Sequence, residues 1–131
     1  MFQLYRNRSL EMGQTVKVYR NLNNQMFSIV ATSGTFKNKV VAHAQSVLLS
    51  QVVFKISQSG KRRAVLEKTR NVHAWAVGTL ETIDPAKTQY RNLSPISYNP
   101  FTSDSFYYKD NLLPLHHTDA LLLDNGKAFA A

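Results

Sequence analysis

The chain has 131 residues, 44% hydrophobic and 11% aromatic, with a formal net charge of +8. That length holds one hydrophobic core rather than two, and the composition is that of a folded chain, not a disordered one. The absence of cysteine excludes a disulfide framework and a thiolate zinc site.

No apolar run comes near the ~20 residues of a membrane span. The start, MFQLYRNRS, has no apolar stretch followed by a cleavage site, so no secretion signal is expected. In chain order, Thr15–Leu22 (TVKVYRNL) alternates valines with polar residues. Gln25–Thr32 (QMFSIVAT) does the same across a turn-rich Asn21–Asn24, which predicts a hairpin. Lys39–Gln45 (KVVAHAQ) predicts a third strand, Val47–Leu49 begins another apolar piece, and Val52–Ser57 (VVFKIS) reads as a buried strand. Alternation then gives way to helix formers over Gln58–Arg70 (QSGKRRAVLEKTR), which predicts a short, strongly cationic helix. Val72–Leu80 (VHAWAVGTL) is the strongest strand signal, with Ala74 and Ala76 on one side and His73, Trp75 and Val77 on the other. Tyr90–Leu93 and Pro95–Tyr98 follow, then a Pro-, Ser- and Tyr-rich segment. The last twenty residues read as loop-like, with a short helix around Thr118–Leu123.

These signals predict an α+β fold: a mainly antiparallel sheet of five to seven short strands with one basic helix over 58–70. A small barrel-like or mixed sheet is the alternative, since a helix between two strands permits a βαβ crossover. Residues 1–109 form the expected domain, and 110–131 a C-terminal tail, docked or partly ordered.

The tripeptide Tyr-Arg-Asn occurs at Tyr5–Asn7, Tyr19–Asn21 and Tyr90–Asn92. Without a fixed period or a shared apolar frame it is not a solenoid repeat. The second and third copies read as strand ends entering turns, where Asn serves backbone geometry. A longer pattern runs through Tyr19-Arg20-Asn21-Leu22, Val40-Val41-Ala42-His43-Ala44, Gly60, Arg63, Lys68, Asn71-Val72-His73-Ala74, Gly78, Tyr98-Asn99-Pro100-Phe101 and Ser105-Phe106. Over roughly residues 16–108 it resembles a family of small bacteriophage proteins. The resemblance implies a phage-infected bacterial cell, hence the host cytoplasm, and implies no catalytic assignment.

Signals for chemistry are sparse. If their strands were neighbours, His43 and His73 would form an acid–base pair for metal-independent RNA cleavage. The simpler reading is two hydrogen-bonded strand histidines. His116, His117 and Asp119 make poor chelate geometry in a loop-like tail. Glu11 and Glu67 are the sole acids of the first 80 residues, with Glu67 expected to pair with Arg63. Neither GxGxxG, GxxxxGK[ST] nor GxSxG occurs. No catalytic residue, cofactor or metal ligand is therefore expected.

Charge supplies the strongest functional signal. Residues 1–70 carry twelve Lys or Arg against two acids, +10, whereas residues 71–131 carry four bases against six acids, −2. Such polarity attracts polyanions and speeds their association. The expected function is a non-enzymatic module that binds DNA or RNA without sequence specificity. Its contacts are Lys61, Arg62, Arg63, Lys68, Arg70, Arg20 and Tyr19, and Tyr90 and Trp75 are further stacking candidates, although the core reading suits Trp75 better. The alternative is an inhibitor or modulator of a host protein or ribonucleoprotein complex, of transcription or defence machinery. Its anchors would be Tyr98, Phe101, Phe106, Tyr107 and Tyr108, a segment that equally suits a strap over the core. A virion component is a third class. No membrane partner is expected, and self-association is compatible with the sequence without being required.

Overall fold

In TVKVYR, Val16 and Val18 are fully buried while Lys17 and Tyr19, between and beside them, are only half-buried. The same two-residue period builds most of the molecule. The computed structural model describes residues 2–6, 8–20, 26–56, 74–83, 93–97, 106–125 and 127–131. Its strands are β1 (Phe2–Leu4), β2 (Thr15–Arg20), β3 (Phe27–Ala31), β4 (Val40–Ala44), β5 (Ser46–Ile56), β6 (Ala74–Thr82), β7 (Ser94–Ser97), β8 (Tyr107–Tyr108), β9 (His117–Asp124) and β10 (Lys127–Ala130). They form one ten-stranded sheet in the order β1-β4-β3-β2-β6-β5-β9-β10-β7-β8. Every strand pair in it is antiparallel.

Inward residues from both ends of that order, Ala42 and Ala44 of β4 and Ile96 of β7, belong to a single buried cluster with Val18, Leu49, Leu80, Leu121 and Leu123. The sheet therefore curls around one core, and its outer face is convex. A bulge bends β5. The strand's inward, buried apolar residues fall at 47, 49, 52 and 54, one residue out of phase. Gln51 (φ 52) takes up the extra position as a bulge against β6, where the register jumps between Ser50 and Val53. Gly78 of β6 lies against this kink: a Cβ there would sit 2.9 Å from the Ser50 carbonyl oxygen and 3.0 Å from Val52 Cγ2. Glycine is required for that close approach.

The far edge of the sheet folds back on itself. Leu115 N–H donates to the Phe106 carbonyl (2.8 Å) and Tyr108 N–H to the Leu113 carbonyl (3.0 Å). The residues leading into β9 thus cover β8, and an exposed edge is avoided there.

Three expectations are corrected. The fold is all-β, not α+β: the described residues contain no helix and supply ten strands rather than five to seven. The basic helix over 58–70 falls on residues outside the described set. The mixed sheet is excluded because the strands flanking that segment pair antiparallel with each other, Ile56 opposite Ala74, and a βαβ crossover would make them parallel. Finally, Thr118–Leu123 is strand. Leu121, Leu122 and Leu123 are all fully buried in β9, between β5 and β10. A strand covered on both faces loses its alternation and reads like a buried helix segment.

Candidate functional site

The outer face of the first six strands in sheet order carries a row of polar and aromatic side chains. Register sets His43 of β4 opposite Ser28 of β3, and Ser28 opposite Tyr19 of β2. Lys17 faces Val77, and Val18 faces Ala76, across β2 and β6. Tyr19 and Trp75 come one step beyond the last pair, Val18 and Ala76, and Trp75 is opposite Lys55 of β5. Because side chains alternate, this row shares the face away from Val16, Val18 and Ala76.

The row is held by specific contacts. Lys17 Nζ lies 4.1 Å from the Trp75 ring centroid, a cation–π pair, and burial pushes the Lys17 pKa down from 10.5. Ser28, 0% exposed, lies under its neighbours with its Oγ 3.2 Å from His43 Nδ1. His43 also meets the Tyr5 ring edge-on, with centroids 5.6 Å apart, and burial lowers its pKa from 6.5. It is thus held toward the neutral imidazole. Arg6 and Arg8 stack on Tyr5, their guanidinium carbons 5.1 and 5.2 Å from the ring centroid. Arg8 Nη1 also donates to the Val40 carbonyl at 2.7 Å. Four bases, Arg6, Arg8, Lys17 and Lys55, and three aromatic rings, Tyr5, Tyr19 and Trp75, consequently share one convex surface.

The residues singled out from sequence fall as follows. Tyr19 is in the row. Arg20 is the next residue of the same strand, so alternation directs it to the opposite side, where it is half-buried opposite Phe27. Lys61, Arg62, Arg63, Lys68 and Arg70 lie outside the described residues, as do Tyr90 and His73. The segment 57–73, which contains all of these but Tyr90, leaves from Ile56 and returns at Ala74, each one residue from the Lys55–Trp75 pair. Trp75 is not a core residue. It is half-buried on the outer face. A His43–His73 pair involves His73, outside the described residues; β3 and β2 separate β4, which carries His43, from β6, which begins at Ala74. His116, His117 and Asp119 are all exposed at the start of β9, and among the described residues no three His, Asp or Glu side chains converge as metal ligands.

Of the aromatic segment, Tyr98 and Phe101 lie outside the described residues. Phe106 is 3% exposed and packs on Phe54, ring centroids 4.5 Å apart. Tyr107 and Tyr108 are half-buried in β8, and the Tyr108 hydroxyl donates to the Ala131 carbonyl at 2.5 Å. The first Tyr-Arg-Asn copy follows β1, with Arg6 at φ 50, and the second ends β2; the third is outside the described residues. Sequence reasoning missed Lys17, Lys55, Tyr5, Arg6 and Arg8. The one available signal was the shared parity of Lys17 with Tyr19.

A single antiparallel sheet with a basic, aromatic outer face defines an all-β protein. The chain belongs to the family described as Mycobacterium phage L5 gene 82 protein, whose model matches residues 9–131. It is 30% identical to the Gene 82 protein of Mycobacterium phage L5 over 122 residues, covering 88% of this chain and 94% of that protein. The match extends beyond both ends of the stretch that the sequence pattern covered. No solved structure matches the chain significantly. Among the described residues, no helix is long and apolar enough to cross a membrane.

Proposed function

We propose that this phage protein is a non-enzymatic nucleic-acid-binding module that uses the outer face of β1, β4, β3, β2, β6 and β5. The observation that supports this reading is the convergence of Arg6, Arg8, Lys17 and Lys55 with three aromatic rings on that face. Cations there neutralise phosphates and release counterions, and rings stack on bases. The chain between the paired residues Ile56 and Ala74 carries five further bases, Lys61, Arg62, Arg63, Lys68 and Arg70, and one acid, Glu67. Contacts of this type read backbone charge and base faces, so binding is sequence-tolerant. The setting is the infected host cell.

The test is binding of labelled oligonucleotides across a salt series. The double variant Lys17→Glu, Lys55→Glu should lose affinity uniformly across sequences, with a salt slope smaller by about 2. Unchanged affinity and slope would remove this reading.

A second reading, binding of a host protein, draws on the turn after β8. There Leu112 is 70% exposed at φ 60, beside Leu113 at 57%, a pairing of backbone strain with apolar exposure that suits an interface anchor. Capture from host extract with and without nuclease treatment separates the two. Host proteins retained after nuclease, and lost with Leu112→Asp, favour the second.

A further inference from the structure

We infer that the ligand of this face is a single strand, DNA or RNA, laid across the sheet, and that Trp75 and Tyr19 form its stacking slot. This rests on the nucleic-acid reading above and narrows it to a substrate class.

Three observations carry it. The first is shape. The inward residues of nearly all strands share one core cluster, so the outer face bulges. A duplex is itself a convex cylinder and would touch such a surface along a narrow line, whereas a flexible strand can drape over it. The second is chemistry. In a duplex the base faces are stacked away and only phosphates and groove edges are presented. Tyr19 and Trp75 are half-buried rings on adjacent strands, and beyond the tyrosine hydroxyl and the indole N–H they offer ring faces, not charge. They suit the exposed faces of unpaired bases.

The third observation is the disposition of charge around the slot. Lys17 Nζ covers the Trp75 ring at 4.1 Å, and Lys55 occupies the next strand beside it. A base stacked on Trp75 therefore has a cation on two sides, one against the ring and one across the strand pair. Burial already opposes the Lys17 charge, so an approaching phosphate relieves an electrostatic cost. His43, held toward its neutral form, contributes ring surface and hydrogen bonding at the far end of the row rather than charge. From β4 to β5 the row crosses four strand intervals, ~19 Å at the usual spacing. That accommodates about 4 nucleotides of extended strand, the lower end for a sheet-based single-strand site.

Trp75 is the chain's single tryptophan, so the intact protein reports on the slot by its own fluorescence. The experiment titrates it with a 12-nucleotide single-stranded DNA, the same sequence as RNA, and the corresponding DNA duplex, following tryptophan emission and the anisotropy of a labelled strand. Both single strands should bind and quench the emission, with the duplex at least about tenfold weaker. Trp75→Ala and Tyr19→Ala should each cost about tenfold in single-strand affinity while leaving duplex affinity unchanged, and Trp75→Phe should restore most of the loss. Duplex binding as tight as single-strand binding, or single-strand binding without quenching, overturns the inference but leaves the nucleic-acid reading intact. Failure of all three oligonucleotides to bind overturns both. A preference between the DNA and RNA arms identifies which polymer the slot favours.

Discussion

The two ends of the sheet differ in what their outer faces carry. From β1 to β5 in sheet order the face presents Arg6, Arg8, Lys17 and Lys55 among aromatic rings. From β9 to β8 the exposed charges include Asp110 and Asp119, and the chain is spent on closure: β8 is covered by residues 113–115, and Thr118 Oγ1 donates to the carbonyls of Ala120 and Ala131. This division does not coincide with the charge split at residue 70, because β6 (Ala74–Thr82), from the second part of the chain, lies between β2 and β5. Strands from residues 2–82 are contiguous in the sheet, and strands from residues 94–130 are contiguous beside them. The described bases Arg6, Arg8, Lys17 and Lys55 thus share an end of the sheet whose strands carry one acid, Glu81 of β6. The proposed binding face lies at one end, and the closing contacts lie at the other.

The seam between the two ends is the β5–β9 pair, where Leu49 lies opposite Leu121 and both are fully buried. Leu121→Ala should cost about 2–5 kcal/mol, read from urea denaturation by circular dichroism. A single shifted transition would mean that the two ends fold as one unit; two transitions would break the molecule into separable parts.

Gly78→Ala acts within the basic end, at the β5 kink. The added carbon meets backbone and a β-branched side chain, so a loss of about 1–3 kcal/mol is expected from the same measurement. Little loss would mean that the kink relaxes freely and does not fix the curl.

A smaller effect on stability, but an opposite one on function, is expected at Lys17. Lys17→Met removes a charge that burial opposes while keeping the stem packed, so stability should hold or rise slightly. The salt slope of oligonucleotide binding should fall by about 1. Lys127→Met, an exposed change at the other end, should leave that slope unaltered, and an equal fall in both would dissolve the contrast between the ends.

The smallest effect concerns acid sensitivity. Burial lowers the folded-state pKa of His43 below 6.5, so on acidification the unfolded chain takes up its proton first. Its contribution is intact above pH ~6.5 and declines as pH falls below that toward the folded-state value. His43→Gln should therefore lose slightly less stability than the parent protein between about pH 7 and pH 5.5, compared by urea midpoints.

Much of the sheet was legible from side-chain alternation. The β2–β3 hairpin, β4, and the facing of Trp75 and Val77 away from Ala76 all follow from a period of two. The apolar positions 47, 49, 52 and 54 even carry the mark of the Gln51 bulge, although they read as two separate pieces. What misled was composition. The buried β9 looked like a helix because Ala and Leu are helix formers and both faces of that strand are covered. The helix formers of 58–70 suggested a crossover, whereas the antiparallel pairing of Ile56 with Ala74 makes the segment a connection between adjacent strands.

For the candidate site, residue order alone supplied the net charge, its asymmetry, the absence of thiol chemistry, the family pattern and the parity that pairs Lys17 with Tyr19. It placed the binding charge in 61–70 and treated Trp75 as core. Only the folded sheet decided that Lys17 and Lys55 flank Trp75, that Tyr5 reaches His43, and that Arg20 departs from Tyr19's face. The reason is that alternation is a local property of one strand, while strand order and register are set by which apolar faces can be buried together. No short stretch of the chain carries that information.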